Sequence, residues 1–202
     1  WKGDIELNNI ILKGNGKGEG INISYGKSKI LNSEFYFTPD AIELINVEDG
    51  EIINNLVMYS PDDGIDLNDC KNIKIGNNKL MFNKDKGISI GTDWANEFIS
   101  KNPQFDGKSS NIEVYENYII GNNIGLAVKD SSIVNSKNNF ILFNKVGVKL
   151  YKKNKDYMSG GTLYSELDII INNTNNIFVD EFSEIKTTNN TFIKKWIKYS
   201  KK

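Results

Sequence analysis

The stretch Asn72-Ile-Lys-Ile-Gly-Asn-Asn-Lys-Leu-Met-Phe-Asn-Lys-Asp-Lys-Gly-Ile-Ser-Ile90 decides the architecture of this 202-residue chain. Apolar residues alternate with polar ones over two or three positions, at Ile73 and Ile75, around Leu80, and at Ile88 and Ile90. Each run then breaks at Asn, Asp or Gly. An amphipathic helix needs apolar residues at three- and four-residue spacing over about ten positions, and none of these runs is long enough. They read as short strands separated by tight turns.

The unit recurs along the chain. A strand opening on a small residue is found at Gly20-Ile-Asn-Ile, Ala41-Ile-Glu-Leu, Gly64-Ile-Asp-Leu, Gly87-Ile-Ser-Ile, Gly125-Leu-Ala-Val and Gly147-Val-Lys-Leu. About eight or nine residues ahead of most of these strands stands a polar residue: Ser33, Asn55, Asn78, Asn117 or Asn139. The spacing is about 22 residues wherever no insertion intervenes, a solenoid period. Asn and Ile together supply about 30% of the chain, well above ordinary usage. Stacked at about 4.8 Å per coil, Ile, Leu and Val would share one core. The recurrent Asn would suit both the left-handed backbone of a turn and a hydrogen-bonded ladder from coil to coil. The expected fold is all-β: a right-handed parallel β-helix of about seven to eight coils, forming one domain over residues 1–202.

Composition limits the chemistry. With 25 Lys+Arg against 26 Asp+Glu, the net charge of −1 gives no electrostatic footprint for nucleic acid. There is no His, so imidazole-based triads and His-ligated zinc are excluded. There is no Arg, so all cationic work falls to Lys. The single Cys70 excludes an internal disulfide framework. No apolar run approaches the roughly 20 residues of a membrane span, so membrane insertion is not expected. The chain opens on Trp1, and Trp1 to Leu12 reads as an incomplete coil. A segment of a longer protein, with adjoining domains or coils, is the expectation.

Two departures from the period point to function. Residues 92–109, with Trp94 and Phe105, and residues 152–165, with Tyr157 and Tyr164, are excess material following the recurrent strand. Insertions in solenoids cluster on one face, often the binding face.

Strand alternation then lines up the outward positions of the recurrent sheet. One column reads Asn22, Glu43, Asp66, Ser89, Ala127, Lys149; the next reads Ser24, Ile45, Asn68, Gly91, Lys129, Tyr151. Before the strands come Glu19, Asp40, Asp63 and Lys86. Early coils are acidic, later coils carry Lys, and Ser89, Gly91 and Ala127 form a small-residue floor between them. Such a groove suits an extended polar polymer, with Ser89, Lys86, Trp94 and Tyr157 as substrate-binding candidates. Asp63, Asp66 and Asp85 are the candidate ligands for an oxygen-ligated cation such as calcium.

The strings Asp62-Asp-Gly-Ile-Asp-Leu, Asp85-Lys-Gly-Ile-Ser-Ile-Gly, Ile124-Gly-Leu-Ala-Val-Lys-Asp-Ser-Ser and Gly147-Val-Lys-Leu-Tyr-Lys-Lys, with Gly160-Gly161, resemble the right-handed parallel β-helix repeat family. That pectate-lyase-like superfamily includes polysaccharide lyases, epimerases and glycosidases; the likeness is nearest to bacterial secreted or surface β-helix modules. It implies an extracellular or cell-surface setting and a polysaccharide partner. Without His, the chemistry to expect on an acidic polysaccharide is β-elimination or epimerisation. Lys129 is the candidate base, flanked by Lys149, and Tyr151 is the candidate proton donor. The alternative expectation is a non-catalytic structural or adhesive spacer.

Overall fold

A computed structural model of the chain describes residues 1–92, 108–192 and 197–198. Among these, three parallel sheets of eight strands each wind around one core. The first sheet runs from Ile5–Asn8 to Glu184–Thr188, and the second from Ile11–Lys13 to Thr191–Phe192. The third, recurrent sheet comprises Ile21–Ser24, Ile42–Ile45, Ile65–Asn68, Lys86–Gly91, Ile124–Lys129, Val146–Tyr151, Asn175–Val179 and Ile197–Lys198. Every strand pairs with its equivalent one coil away, so the molecule is a right-handed parallel β-helix of eight coils. No helix of the described residues is long and apolar enough to cross a membrane.

The inward positions form continuous columns. Ile23, Leu44, Leu67, Ile90, Val128 and Leu150 line up on the recurrent sheet, and Phe35, Val57, Leu80, Ile119, Ile141 and Ile170 on the second. All are fully buried. The small residue opening each recurrent strand has a steric cause. A Cβ on Gly64 would meet the Gly87 carbonyl oxygen at 2.7 Å, one on Gly87 that of Gly125 at 2.8 Å, and one on Gly125 that of Gly147 at 2.5 Å. The glycines stand in a row because coils approach most closely there.

The Asn ladder forms as expected, with one change of role. The Asn55 N–H donates to Asn78 Oδ1 at 2.8 Å, Asn78 to Asn117 at 2.9 Å, and Asn117 to Asn139 at 2.9 Å. Each amide also donates to a core-strand carbonyl, as Asn78 Nδ2 does to Ile52 O at 2.8 Å. The left-handed backbone belongs instead to the residue before: Asn32, Asn54, Asn77 and Asn138. The ladder residue turns its side chain inward along the coil stack while its predecessor absorbs the bend. A second ladder, not anticipated from the sequence, runs through Ser60, Asn83, Asn122, Asn144 and Asn173. Together the two ladders satisfy buried backbone donors at two corners of every central coil.

The excursions emerge at the C-terminal ends of recurrent strands Lys86–Gly91 and Val146–Tyr151. The chain rejoins the first sheet at Ser110 and at Thr162, so Thr162–Ser165 of the second excess already belongs to the next coil. Most of the first insertion, including Trp94, lies outside the described residues.

Candidate acidic and lysine-bearing face of the recurrent sheet

The register places Asn22, Glu43, Asp66, Ser89, Ala127 and Lys149 in one outward column and sets Lys129 beside Tyr151. Glu43 and Asp66 therefore stand at one end of that column and Lys149 at the other, through strand alternation, while Lys86 lies among the acidic residues.

The acidic end is crowded. Asp40, Asp62 and Asp63 each offer a carboxylate oxygen, all within 4.8 Å of one another. The turn geometry contributes: the Asp63 N–H donates to Asp40 Oδ1 at 3.2 Å, and the Lys86 N–H to Asp63 Oδ1 at 2.8 Å. Burial first, and then the charges of Asp62 and Asp66, push Asp40 up to about 6. Burial, with Glu19, Asp66 and Asp40 adding, pushes Glu43 up to about 7, against a hydrogen bond from Asn22.

Lys86 gathers two of the sequence-derived metal candidates. Its ammonium lies 3.0 Å from both oxygens of Asp63 and 2.6 Å from Asp85. Burial alone would lower its pKa, but Asp63 and Asp85 overcome that and hold it above the ordinary value. Asp85 also accepts a hydrogen bond from Asn123. Asp66 stands three residues beyond Asp63, with Oδ2 accepting a hydrogen bond from Asn68 at 3.0 Å. The carboxylates in mutual reach are thus Asp63 with Asp40 and Asp62, while Asp85 is turned toward Lys86.

Between the two ends lies a buried polar row. Asp66 Oδ1, Asn68 Oδ1 and Ser89 Oγ are all buried and find no hydrogen-bond partner among the described residues. Lys129 is 2% exposed, and its ammonium makes no hydrogen bond or salt bridge among the described residues. Its stem lies over Gly91, where a Cβ would meet Lys129 Cε at 2.6 Å. Lys149 stands over the Tyr151 ring at 4.3 Å, and burial lowers its pKa. Burial pushes the Tyr151 hydroxyl up to about 12, so it stays protonated at neutral pH. Tyr157, from the second excursion, is 8% exposed and donates to Thr92 Oγ1 at 3.3 Å, two coils back.

Hard oxygen donors at the acidic end are the right chemistry for calcium, and the unsatisfied Asp66 Oδ1 beside them is an oxygen in want of a partner. Three carboxylates fall short of the six to eight oxygens calcium takes, and both Asp63 oxygens already face the Lys86 ammonium.

Three sheets, eight stacked coils and paired polar ladders define a right-handed β-helix protein. The right handed beta helix region family matches this chain over residues 2–109, and the chain belongs to that family. Among solved structures, the crystal structure of pectate lyase Pel9A is similar at a TM-score of 0.40 and 14% identity, covering 91% of this chain. The chain spans 61% of the length of that structure. No curated protein matches.

Proposed function

We propose that the protein is an extracellular β-helix module that recognises an acidic polysaccharide along the recurrent sheet. The observation that carries this reading is the buried polar row of Asp66 Oδ1, Asn68 Oδ1 and Ser89 Oγ, unsatisfied and set between a carboxylate cluster and Lys129. Buried polar atoms are ordinarily paired; among the described residues, atoms such as Ser28 Oγ and Asn83 Nδ2 also lack partners, but this row alone adjoins both the carboxylate cluster and Lys129. Asp40, Asp62 and Asp63 would hold calcium, with Asp66 adjoining; a bound calcium would neutralise a sugar carboxylate. Lys149 biases the far end of the face toward anionic polymer, while Lys86 is taken up by Asp63 and Asp85. The placement at a cell surface or in the extracellular space belongs to the same proposal.

A second reading is favoured by the register of Lys129 and Tyr151. Their Cα positions pair on adjacent strands, which sets a base-type and an acid-type side chain side by side. Lys129, as the free amine, takes the proton α to a uronate carboxylate. The C–O bond at the β carbon then breaks, and the Tyr151 hydroxyl protonates the departing oxygen, leaving an unsaturated uronate.

The test is calorimetric binding of short oligouronates with and without calcium, followed by absorbance of the unsaturated product. Calcium-dependent binding, lost in Asp62→Asn, supports recognition. Product formation lost in Lys129→Ala supports elimination. No ligand from an acidic and neutral glycan panel, with Asp62→Asn and Lys129→Ala both folded as the parent, leaves a structural spacer and overturns the proposal.

A further inference from the structure

The turn leaving the second sheet carries an aromatic column separate from the recurrent face. Phe37, Tyr59, Phe82 and Phe143 each directly follow a second-sheet strand, at φ of 57°, 60°, 58° and 57°. The same turn position holds Gly121 at 70° and Asn172 at 56°, residues that adopt this backbone readily. A bulky aromatic there is strained. Burial does not compensate, because these four rings are 43–62% exposed. Strain kept at an exposed position is an observation from which function can be inferred.

Three of the rings are ordered against one another. Phe37 and Tyr59 stack at 5.4 Å, and Tyr59 and Phe82 at 5.7 Å, both pairs within 14° of parallel. The loop at Gly14, Asn15 and Gly16 folds across this column: the Gly16 N–H donates to the Phe37 carbonyl at 2.9 Å, and Gly16 reaches Pro61 two coils away. Loop and rings enclose a cleft of about 520 Å³. Among the described residues, Lys84 is the one charged residue in its lining. It is exposed, and its ammonium makes no hydrogen bond or salt bridge among the described residues. Asn15 Oδ1 accepts the Lys17 N–H at 3.0 Å, which leaves its amide free to donate outward.

We infer that this cleft is a second carbohydrate site, taking a uronate-bearing oligosaccharide. The exposed apolar surface of the rings and of Pro61 suits the apolar C–H face of a sugar. The free ammonium of Lys84 selects a carboxylate, and the Asn15 amide meets a hydroxyl. The inference rests on the carbohydrate reading above but not on a metal. Phe37 and Tyr59 each lie three residues before a carboxylate of the acidic cluster, Asp40 and Asp62, so a glycan leaving the cleft over the turn reaches that cluster.

Binding of short oligouronates, with a neutral glucose oligomer as control, would be followed by calorimetry with calcium and with chelator. Tyr59→Asn keeps the left-handed turn, and Phe143→Asn, outside the cleft, controls for removal of a strained ring. Expected is binding in chelator that weakens about tenfold in Tyr59→Asn, is unchanged in Phe143→Asn, and loses its preference for the acidic oligomer in Lys84→Gln. Binding that requires calcium and ignores Tyr59→Asn and Lys84→Gln overturns the cleft while sparing the acidic face. No binding under either condition overturns both. Should Tyr59→Asn fail to fold, Lys84→Gln decides alone: an unchanged acidic preference rejects the cleft.

Discussion

Lys86 closes on Asp63 through two contacts of 3.0 Å, one to each carboxylate oxygen, with side chains only 11% and 5% exposed. A coil step brings them together: residues 23 apart in sequence become neighbours, and the Lys86 backbone N–H reinforces the pair. The lysine thus supplies a resident cation to a face with too many carboxylates. Removing one partner of a buried pair strands the other. Burial outweighs the lysine and holds the Asp63 carboxyl up at about 7, so the pair is fully ionised only above neutral pH, where Lys86→Gln is expected to cost about 3 kcal/mol. The loss should shrink in acid, where Asp63 is protonated, and on adding calcium if the cluster takes a metal. Urea unfolding at about pH 8.5 and about pH 5, either side of the Asp63 value, measures this; a loss equal at both rejects the ion-pair account.

Asp40 at about 6 and Glu43 at about 7 sit above ordinary carboxyl values, chiefly through burial. A carboxyl whose folded pKa is raised favours folding while protonated. Its contribution is complete below the unfolded pKa near 4 and fades as pH rises through 6 to 7. Both groups are half-exposed to solvent screening, so each is expected to contribute about 1 kcal/mol. Melting should fall by about 5 °C between pH 4.5 and 7.5 from these two groups. Asp40→Asn/Glu43→Gln should flatten that slope. A slope unaltered in the double variant places the pH dependence elsewhere.

The two Asn of one turn should behave differently. Asn78 Oδ1 accepts the Asn55 N–H, and its amide reaches Ile52 O, both buried. Asn77 only supplies a left-handed backbone at φ 54°. Asn78→Ala is expected to cost about 2–4 kcal/mol by orphaning buried partners, whereas Asn77→Gly should change stability by under about 1 kcal/mol. Denaturant midpoints of the two variants decide; equal losses reject the division of labour.

The fold was legible because a 22-residue period, once found, fixes which residues stack, and alternation fixes which face they occupy. Gly64, Gly87, Gly125 and Gly147 announced the closest approach of coils. The spacing of Asn83, Asn122, Asn144 and Asn173 carries a second ladder just as visibly, but their flanking turns mask the pattern. Columns such as Asp66–Ser89–Ala127–Lys149 follow from register. What register does not encode is the side-chain choice among neighbours. Asp85 turning to Lys86, and Asp40 and Asp62 joining Asp63, depend on rotamers and local burial. The strained rings at Phe37, Tyr59 and Phe82 escaped notice because an aromatic beside a turn ordinarily reads as edge packing; only the backbone angle sets them apart.

Lys129 offers the sharpest separation of stability from function. Lys129 is 2% exposed as a residue, its ammonium makes no hydrogen bond among the described residues, and Asp85 and Asp130 attract it only at longer range. Lys129→Met keeps the stem packed over Gly91 and removes the charge. If the ammonium serves a ligand, the variant should gain about 1 kcal/mol of stability while losing oligouronate binding or turnover. If Lys129 is instead a structural partner of Asp85 and Asp130, the same change should destabilise, and the loss should diminish as pH falls and those carboxylates protonate. Thermal melts of parent and variant at two pH values, run beside the binding assay, distinguish the cases, because only the functional role predicts opposite signs for stability and affinity.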